Sequence, residues 1–457
     1  MKEHAAKNRD LTTGSVVKTL LVFMAPYLIS CLMQTLYGMA DLYITGQFNL
    51  SSSITAVAVG SQFMHVVTLI VVGIAIGAMV IIGHATGAGN GRLAAKAIGN
   101  AAVLFAGIGV LFMILLLAFR TGILDILSVP AEAYEEAGQY MQICFGGILF
   151  VVGYNVVSSI YRGLGDTRHP LYFVIVTTIL NIFLDYLFIG YFGMGAKGAA
   201  FATVTSQAVS VLLSVIYLPK VLTFRLTADD LVPDRALIAR ILRVGMPIAI
   251  QEALVETSFL VITIIANRRG IEIAAAVGIV EKVIGFLFLM PISMQATVSA
   301  LSSINIGAGE FKRSRQILYT ALGISIIYGI IIAVLCQFFA ADILYIFDRN
   351  EPTIVSFGAQ YLRSYSWDCI FAGIHFCFSG YFTSREKALI PFFYNIAAVA
   401  TIRIPVAYYT SIRYPDNLYP MGIGAPLGSI LCSVIALIVF IIIEKKGNPP
   451  ENLKNTE

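Results

Sequence analysis

Apolar residues in this chain come in long, nearly unbroken runs divided by short polar breaks. Val66 to Ile82, Ala101 to Phe119, Ala321 to Ala340 and Ile430 to Ile443 approach or reach the roughly 20 residues that a helix needs to cross a bilayer. Lipid offers backbone groups no hydrogen-bond partners, so such runs are predicted to be helices. Twelve are read, starting near Val17, Ile54, Leu93, Ala133, Leu171, Gly198, Ile238, Ala274, Ile317, Ile354, Leu389 and Gly424. The pattern predicts an all-α membrane protein with twelve transmembrane helices.

The pattern is also written twice. Pro26 recurs as Pro247, Gly60 as Gly278, Gly87-Ala88-Gly89 as Gly307-Ala308-Gly309, Gln139-Tyr140 as Gln360-Tyr361 and Pro170 as Pro391, every pair 218 to 221 residues apart. Secondary transporters are commonly built from such internal repeats. The longest internal polar interval, Pro219 to Arg235, separates the copies. The expected division is a cytoplasmic segment 1–16, an N-lobe 17–218 (helices 1–6), a cytoplasmic linker 219–236, a C-lobe 237–444 (helices 7–12) and a cytoplasmic tail 445–457. Six helices per copy is an even number, so the two six-helix lobes share one orientation, related by a pseudo-two-fold axis along the membrane normal.

Composition agrees, with 58% hydrophobic and 12% charged residues against about 25% charged in soluble domains. With the N-terminus inside, 21 Lys and Arg fall in inside segments, among them Lys2, Lys7, Arg9, Lys446 and Lys454. Seven fall outside: Arg120, Lys197, Arg268, Arg269, Arg349, Arg363 and Arg413. By the positive-inside rule both termini are cytoplasmic. The net charge of +4 thus describes topology, and no basic segment with interleaved aromatics supports nucleic-acid binding. Cys31, Cys144, Cys336, Cys369, Cys377 and Cys432 are scattered in apolar runs, without disulfide or metal-ligand spacing. Met1 to Arg9 is polar and the first apolar run is long, so no cleavable signal peptide is expected.

Ionisable residues inside spans carry the functional argument, because each costs about 2.5–3.5 kcal/mol at the bilayer centre on insertion scales. The chain keeps Asp41, Asp185, Glu252, Glu256, Glu281, Lys282, Asp368, His375 and Arg403 there. Asn181 precedes Asp185 by one helical turn and shares its face. With Asp41 and Thr203 these residues form a set of hard oxygen ligands suited to a small cation. Two close carboxylates equally suit a proton, and a purely structural role, with Asp41 capping a helix and Asp185 holding Asn181, remains open. Glu252 and Glu256 share a face near Pro247, either for a cationic substrate or second ion or for charge balance with Lys282 or Arg403. Asp368 and His375, seven residues apart, again share a face. Gln34 and Tyr37 join these four as candidates for substrate or secondary-ion contact. The Gly-Ala-Gly segments read as tight turns, lacking the strand and the Gly-Lys-Ser/Thr of a phosphate loop. Pro26 and Pro247 are the expected helix hinges.

Pro26, Met39-Ala40-Asp41-Leu42-Tyr43-Ile44-Thr45-Gly46, the duplicated Gly-Ala-Gly turns, Tyr161-Arg162-Gly163-Leu164-Gly165-Asp166-Thr167 and the Asn181/Asp185 pair together resemble the multidrug and toxic compound extrusion (MATE) family over nearly the whole chain. The resemblance implies a twelve-helix exporter with two lobes around a central cavity. It implies outward export of small organic cations or amphipathic drugs driven by inward Na⁺ or H⁺, with no other cofactor. It also implies a cation site at the positions of Asp41, Asn181, Asp185 and Thr203, with backbone near Ala199. In the second lobe this sequence departs from the family pattern: Glu252 and Glu256 straddle the expected offset from Pro247, and Asp368 sits about one turn early. The expected setting is the cell (plasma) membrane, as a multi-pass monomer among membrane lipids. Two rivals are a flippase for lipid-linked precursors, against which the buried acids argue, and a membrane-embedded enzyme, for which Asp368 with His375 is the sole acid–base pair.

Overall fold

The structure, a computed structural model, describes residues 11–49, 51–347 and 351–445. Among these residues every regular element is a helix. The first repeat contains α1 (Val16–Phe48), α2 (Ser51–Gly87), α3 (Gly91–Ala118), a short α4 (Arg120–Ile126), α5 (Ala131–Gly146), α6 (Ile148–Gly163), α7 (Arg168–Asp185) and α8 (Gly195–Val221). The second contains α9 (Arg235–Asn267), α10 (Ile271–Leu287), α11 (Leu289–Gly307), α12 (Phe311–Phe347), α13 (Pro352–Tyr365), α14 (Asp368–Ser384), α15 (Leu389–Ala398), α16 (Ile404–Arg413), a single turn α17 (Tyr419–Gly422) and α18 (Gly424–Lys445). Ten spans are long and apolar enough to cross a membrane, and α5 with α6, bent by 49°, make an eleventh. The remaining sequence-predicted run is α13 with α14, which falls short because it breaks at Ser366–Trp367 and carries Arg363, Asp368 and His375. Large apolar side chains such as Leu111, Ile114, Ile327 and Phe338 are more than half exposed, as lipid-facing positions should be.

The turns predicted at the two Gly-Ala-Gly segments are there. Gly89 (φ +67°) and Gly309 (φ +78°) take left-handed backbone, which glycine adopts without steric cost, and Asn90 Oδ1 then accepts the Leu93 N–H at 2.9 Å to start α3. Pro26 and Pro247 both lie inside continuous helices. Two stretches loosen into π-helix: Tyr186–Tyr191, directly after Asp185, and Val399–Arg403, between α15 and α16. Such widened turns recur at functional sites.

The chain forms two compact units whose membership does not follow the repeat. The first holds Ala25–Ala249 and the second holds Thr12–Met24 with the chain from Ile250 onward. The physical reason is backbone contact. Gly73 and Gly77 of α2 meet Ala249, Ile241 and Gly245 of α9 so closely that a Cβ at Gly73, Gly77 or Gly245 would collide with main chain. Small residues four apart on both helices are the usual means of such an approach in membranes. In the second unit Arg313 donates to the carbonyls of Thr13 (2.7 Å) and Gly14 (2.8 Å), pinning the entry to α1.

The polar interval between repeats is ordered too. Thr227 and Asp230 form a capping box around a 3₁₀ turn, Ala228–Leu231. Buried Asn100 of α3 accepts the Asp234 N–H at 2.7 Å and donates toward the Asp230 and Val232 carbonyls at 3.4 Å. The Thr227 N–H and hydroxyl hold the Asp230 carboxyl below its usual range. In the second unit Glu444 accepts from Arg315 (2.6 Å), Tyr381 (2.9 Å) and Arg385 (3.0 Å). Lys2, Lys7, Arg9, Arg349, Lys446 and Lys454, used in the topology reading, lie outside the described residues, as do most of segment 1–16 and of tail 445–457.

Candidate functional site

In the first unit the structure brings Asp41, Asn181, Asp185 and Thr203 together. Asp41 sits on α1, Asn181 and Asp185 on successive turns of α7, and Thr203 on α8. Asp41 is 4% exposed, and Asn181 and Asp185 are fully buried. The Asp41 carboxyl faces the side chains of Asp185, Thr203 and Asn181, and the Thr203 hydroxyl donates to Asp41 Oδ2 at 3.2 Å. The Thr45 hydroxyl ties the same helix turn by donating to the Asp41 carbonyl at 2.7 Å. A core containing Ile44, Ala56, Val57, Tyr140, Phe145 and Ala199 belongs to the same unit.

Several atoms of this cluster lack a partner, as do Asp368 Oδ1, His375 Nδ1 and Arg403 Nε of the second unit. Asp41 Oδ1, both Asp185 carboxyl oxygens and both amide atoms of Asn181 are buried without a hydrogen-bond partner. Buried polar groups are normally paired, and a buried carboxylate without compensation is costly. Two carboxylates, an amide oxygen and a hydroxyl are a donor set for a hard monovalent cation or a proton. Among the described residues no three His, Cys, Asp or Glu side chains gather as a transition-metal site.

The other candidates fall into separate groups. Tyr37 approaches Asp41, Thr203 and Gln207, while Gln34, which is exposed, meets Tyr154. In the second unit Glu252 and Glu256 neighbour each other on α9. Among the described residues neither forms an ion pair with Lys282 or Arg403. Asp368 and His375, each 4% exposed, are joined through Ser429 of α18, which faces Asp368 and lies 3.5 Å from His375 Nε2. Arg403, in the π-helical stretch, accompanies them: its guanidinium lies 4.1 Å from the ring centre of Phe259 and donates to the Tyr365 hydroxyl at 3.0 Å. It also senses the charges of Asp368 and Glu281, and Thr263 approaches the Glu281 carboxyl at 3.4 Å. Sequence reasoning missed Ser429, Tyr365, Phe259 and Gln207, since each comes from a helix other than that of its partner. An available signal was Thr203 with Gln207, four residues apart on one helix face.

Comparison with known proteins places the chain in a family. The model of the MatE family matches residues 26–187 and again 247–409, in the register of the internal repeat. The probable multidrug resistance protein YoeA of Bacillus subtilis is 28% identical over 423 residues, covering 90% of each chain. The probable multidrug resistance protein NorM of Thermotoga maritima is 26% identical over 433 residues, covering 93% of this chain and 92% of its own. Among solved structures, MATE in complex with MaL6 superposes with a TM-score of 0.87 at 22% identity, covering 96% of this chain and 98% of that one. A transporter of the MOP superfamily from Pyrococcus furiosus, described as having a binding pocket of reverse polarity, gives 0.88 at 21% identity over the same shares.

Proposed function

Because the chain belongs to the MatE family, we propose that it exports cationic or amphipathic organic compounds across the cell membrane by alternating access, in exchange for Na⁺ or H⁺ entering through Asp41 and Asp185. The observation that carries this reading is the pair of buried carboxyls, three of whose four oxygens lack partners, beside Asn181 and Thr203. A cation that arrives and leaves supplies the missing partner for part of the cycle and removes it for the rest. An inward-moving unit charge gains about 2.3 kcal/mol per 100 mV of membrane potential, so a monovalent ion is a sufficient driver. With both termini cytoplasmic and the protein acting as a monomer, binding of the ion from outside bends α1 near Pro26 and expels substrate. Discharge of the ion inside resets the site.

The test is efflux of a fluorescent organic cation from proteoliposomes under an imposed sodium gradient and, separately, a pH gradient. One gradient should accelerate wild-type efflux, and the Asp41→Asn variant should respond to neither. Wild-type efflux indifferent to both gradients overturns the coupling, and a variant that still responds removes Asp41 from it.

A further inference from the structure

The polar side chains of the first unit continue beyond the Asp41 cluster. Tyr37 sits against Thr203 and Gln207, and about one turn nearer the start of α1, Gln34 meets Tyr154 of α6. Below Tyr154 lie Ser158 and then Arg162, four residues apart each time and hence on one face. The line ends where the Arg162 guanidinium lies over the ring of Tyr27, 5.0 Å from its centre. From Asp41 to Tyr27 the track covers about 21 Å of α1 at 1.5 Å per residue.

Along it polar atoms are buried and unsatisfied. Tyr154, Ser158 and Arg162 are 6%, 5% and 9% exposed. Gln207 Oε1 and Arg162 Nε have no partner, nor do the hydroxyls of Ser206 and Ser210 beside Gln207 on α8. Helices that merely packed against one another would need no such series, and unpaired polar atoms in a row are where buried water resides. Gln34 is the exposed member of the row.

Arg162 is the cationic member of this row. Its Nη2 donates to the Ser159 hydroxyl at 2.8 Å, and among the described residues no carboxylate pairs with it. A buried guanidinium without a carboxylate partner repels cations, as basic residues do in selective channels. Tyr27, which covers it, follows Pro26 directly, so any bend of α1 at the proline displaces the ring from the guanidinium.

We propose that the coupling cation leaves the Asp41 cluster along this face, and that Arg162, held beneath Tyr27, is the closure that prevents leakage in the absence of exchange. The proposal rests on the cation-coupled reading above and adds a gating residue to it. It is tested by uncoupled cation entry, as tracer sodium or as a proton-sensitive dye signal, into substrate-free proteoliposomes holding the full-length protein. Arg162→Ala and Arg162→Gln, the latter keeping a hydrogen-bond donor for Ser159, should raise that flux by about ten-fold, while Arg162→Lys stays near wild type. Adding Asp41→Asn to Arg162→Gln should abolish the leak. A wild-type level of flux in Arg162→Gln protein that elutes as a single species and melts like wild type overturns the gate. So does a leak that survives Asp41→Asn. Failure of the coupling reading appears elsewhere, as wild-type efflux that ignores both gradients.

Discussion

Burial leaves oxygens of Asp41 and Asp185 unmatched, and a residue-scale experiment can test whether the proposed coupling depends on that property. Replacing Asp41 with Asn keeps volume and hydrogen-bonding capacity but removes the charge, so the protein should insert normally yet fail to protect a drug-sensitive host. Normal resistance in a host expressing the inserted variant would eliminate the site. Asp185→Asn should behave alike, since the two carboxyls face each other. Much of this cluster was legible in the chain itself: Asn181 and Asp185 stand one helical turn apart in an apolar run, and the family resemblance tied Asp41 and Thr203 to them. Ser429 between Asp368 and His375 was not legible, because spacing within one helix says nothing about which side chain of another helix fills the space opposite.

At the scale of elements, the seam between α2 and α9 depends on hydrogen atoms standing where side chains would be. Gly77→Leu should cost about 1–3 kcal/mol or more through overpacking, read as a lower melting midpoint in detergent, whereas Gly38→Ala, with open space around it, should melt near wild type. Equal midpoints for the two would show that the seam is not tight. The linker has its own test. Burial of Asn100 against three backbone groups predicts a loss of about 1–3 kcal/mol for Asn100→Ala. That variant should also be cut faster by protease between 222 and 234. The Asp230 cap adds a pH dependence. Its carboxyl is held below the ordinary value of 3.8, so its contribution is complete above that pH and is lost as pH falls through the lower folded value. Pepsin should therefore begin to cut this segment only below pH 3.8, and cutting already at pH 5 would contradict the cap. Helix starts were readable to within a few residues because apolar runs mark them. The two π-helical stretches were not, since they are set by how neighbours pack and not by local composition.

For the whole molecule, the repeat and the twelve runs were plain in the sequence, while the exchange of helix halves between units was invisible, arising only where backbones touch. It predicts that residues 1–234 and 235–457 expressed separately each lack part of a unit. Each should aggregate alone, and co-expression should restore one monodisperse, transport-active species. Two halves that are separately monodisperse would refute that dependence.

The same seam separates the fates of the two prolines. Pro247 lies between Gly245 and Ala249, both pressed onto the main chain of α2, so its segment of helix is clamped and has no slack in which to flex. Pro26 is followed by Tyr27, whose ring lies under the Arg162 guanidinium, 5.0 Å from its centre. If α1 bends at Pro26 as proposed, the duplication has kept one of its two joints as a working elbow and soldered the other into a fixed strut.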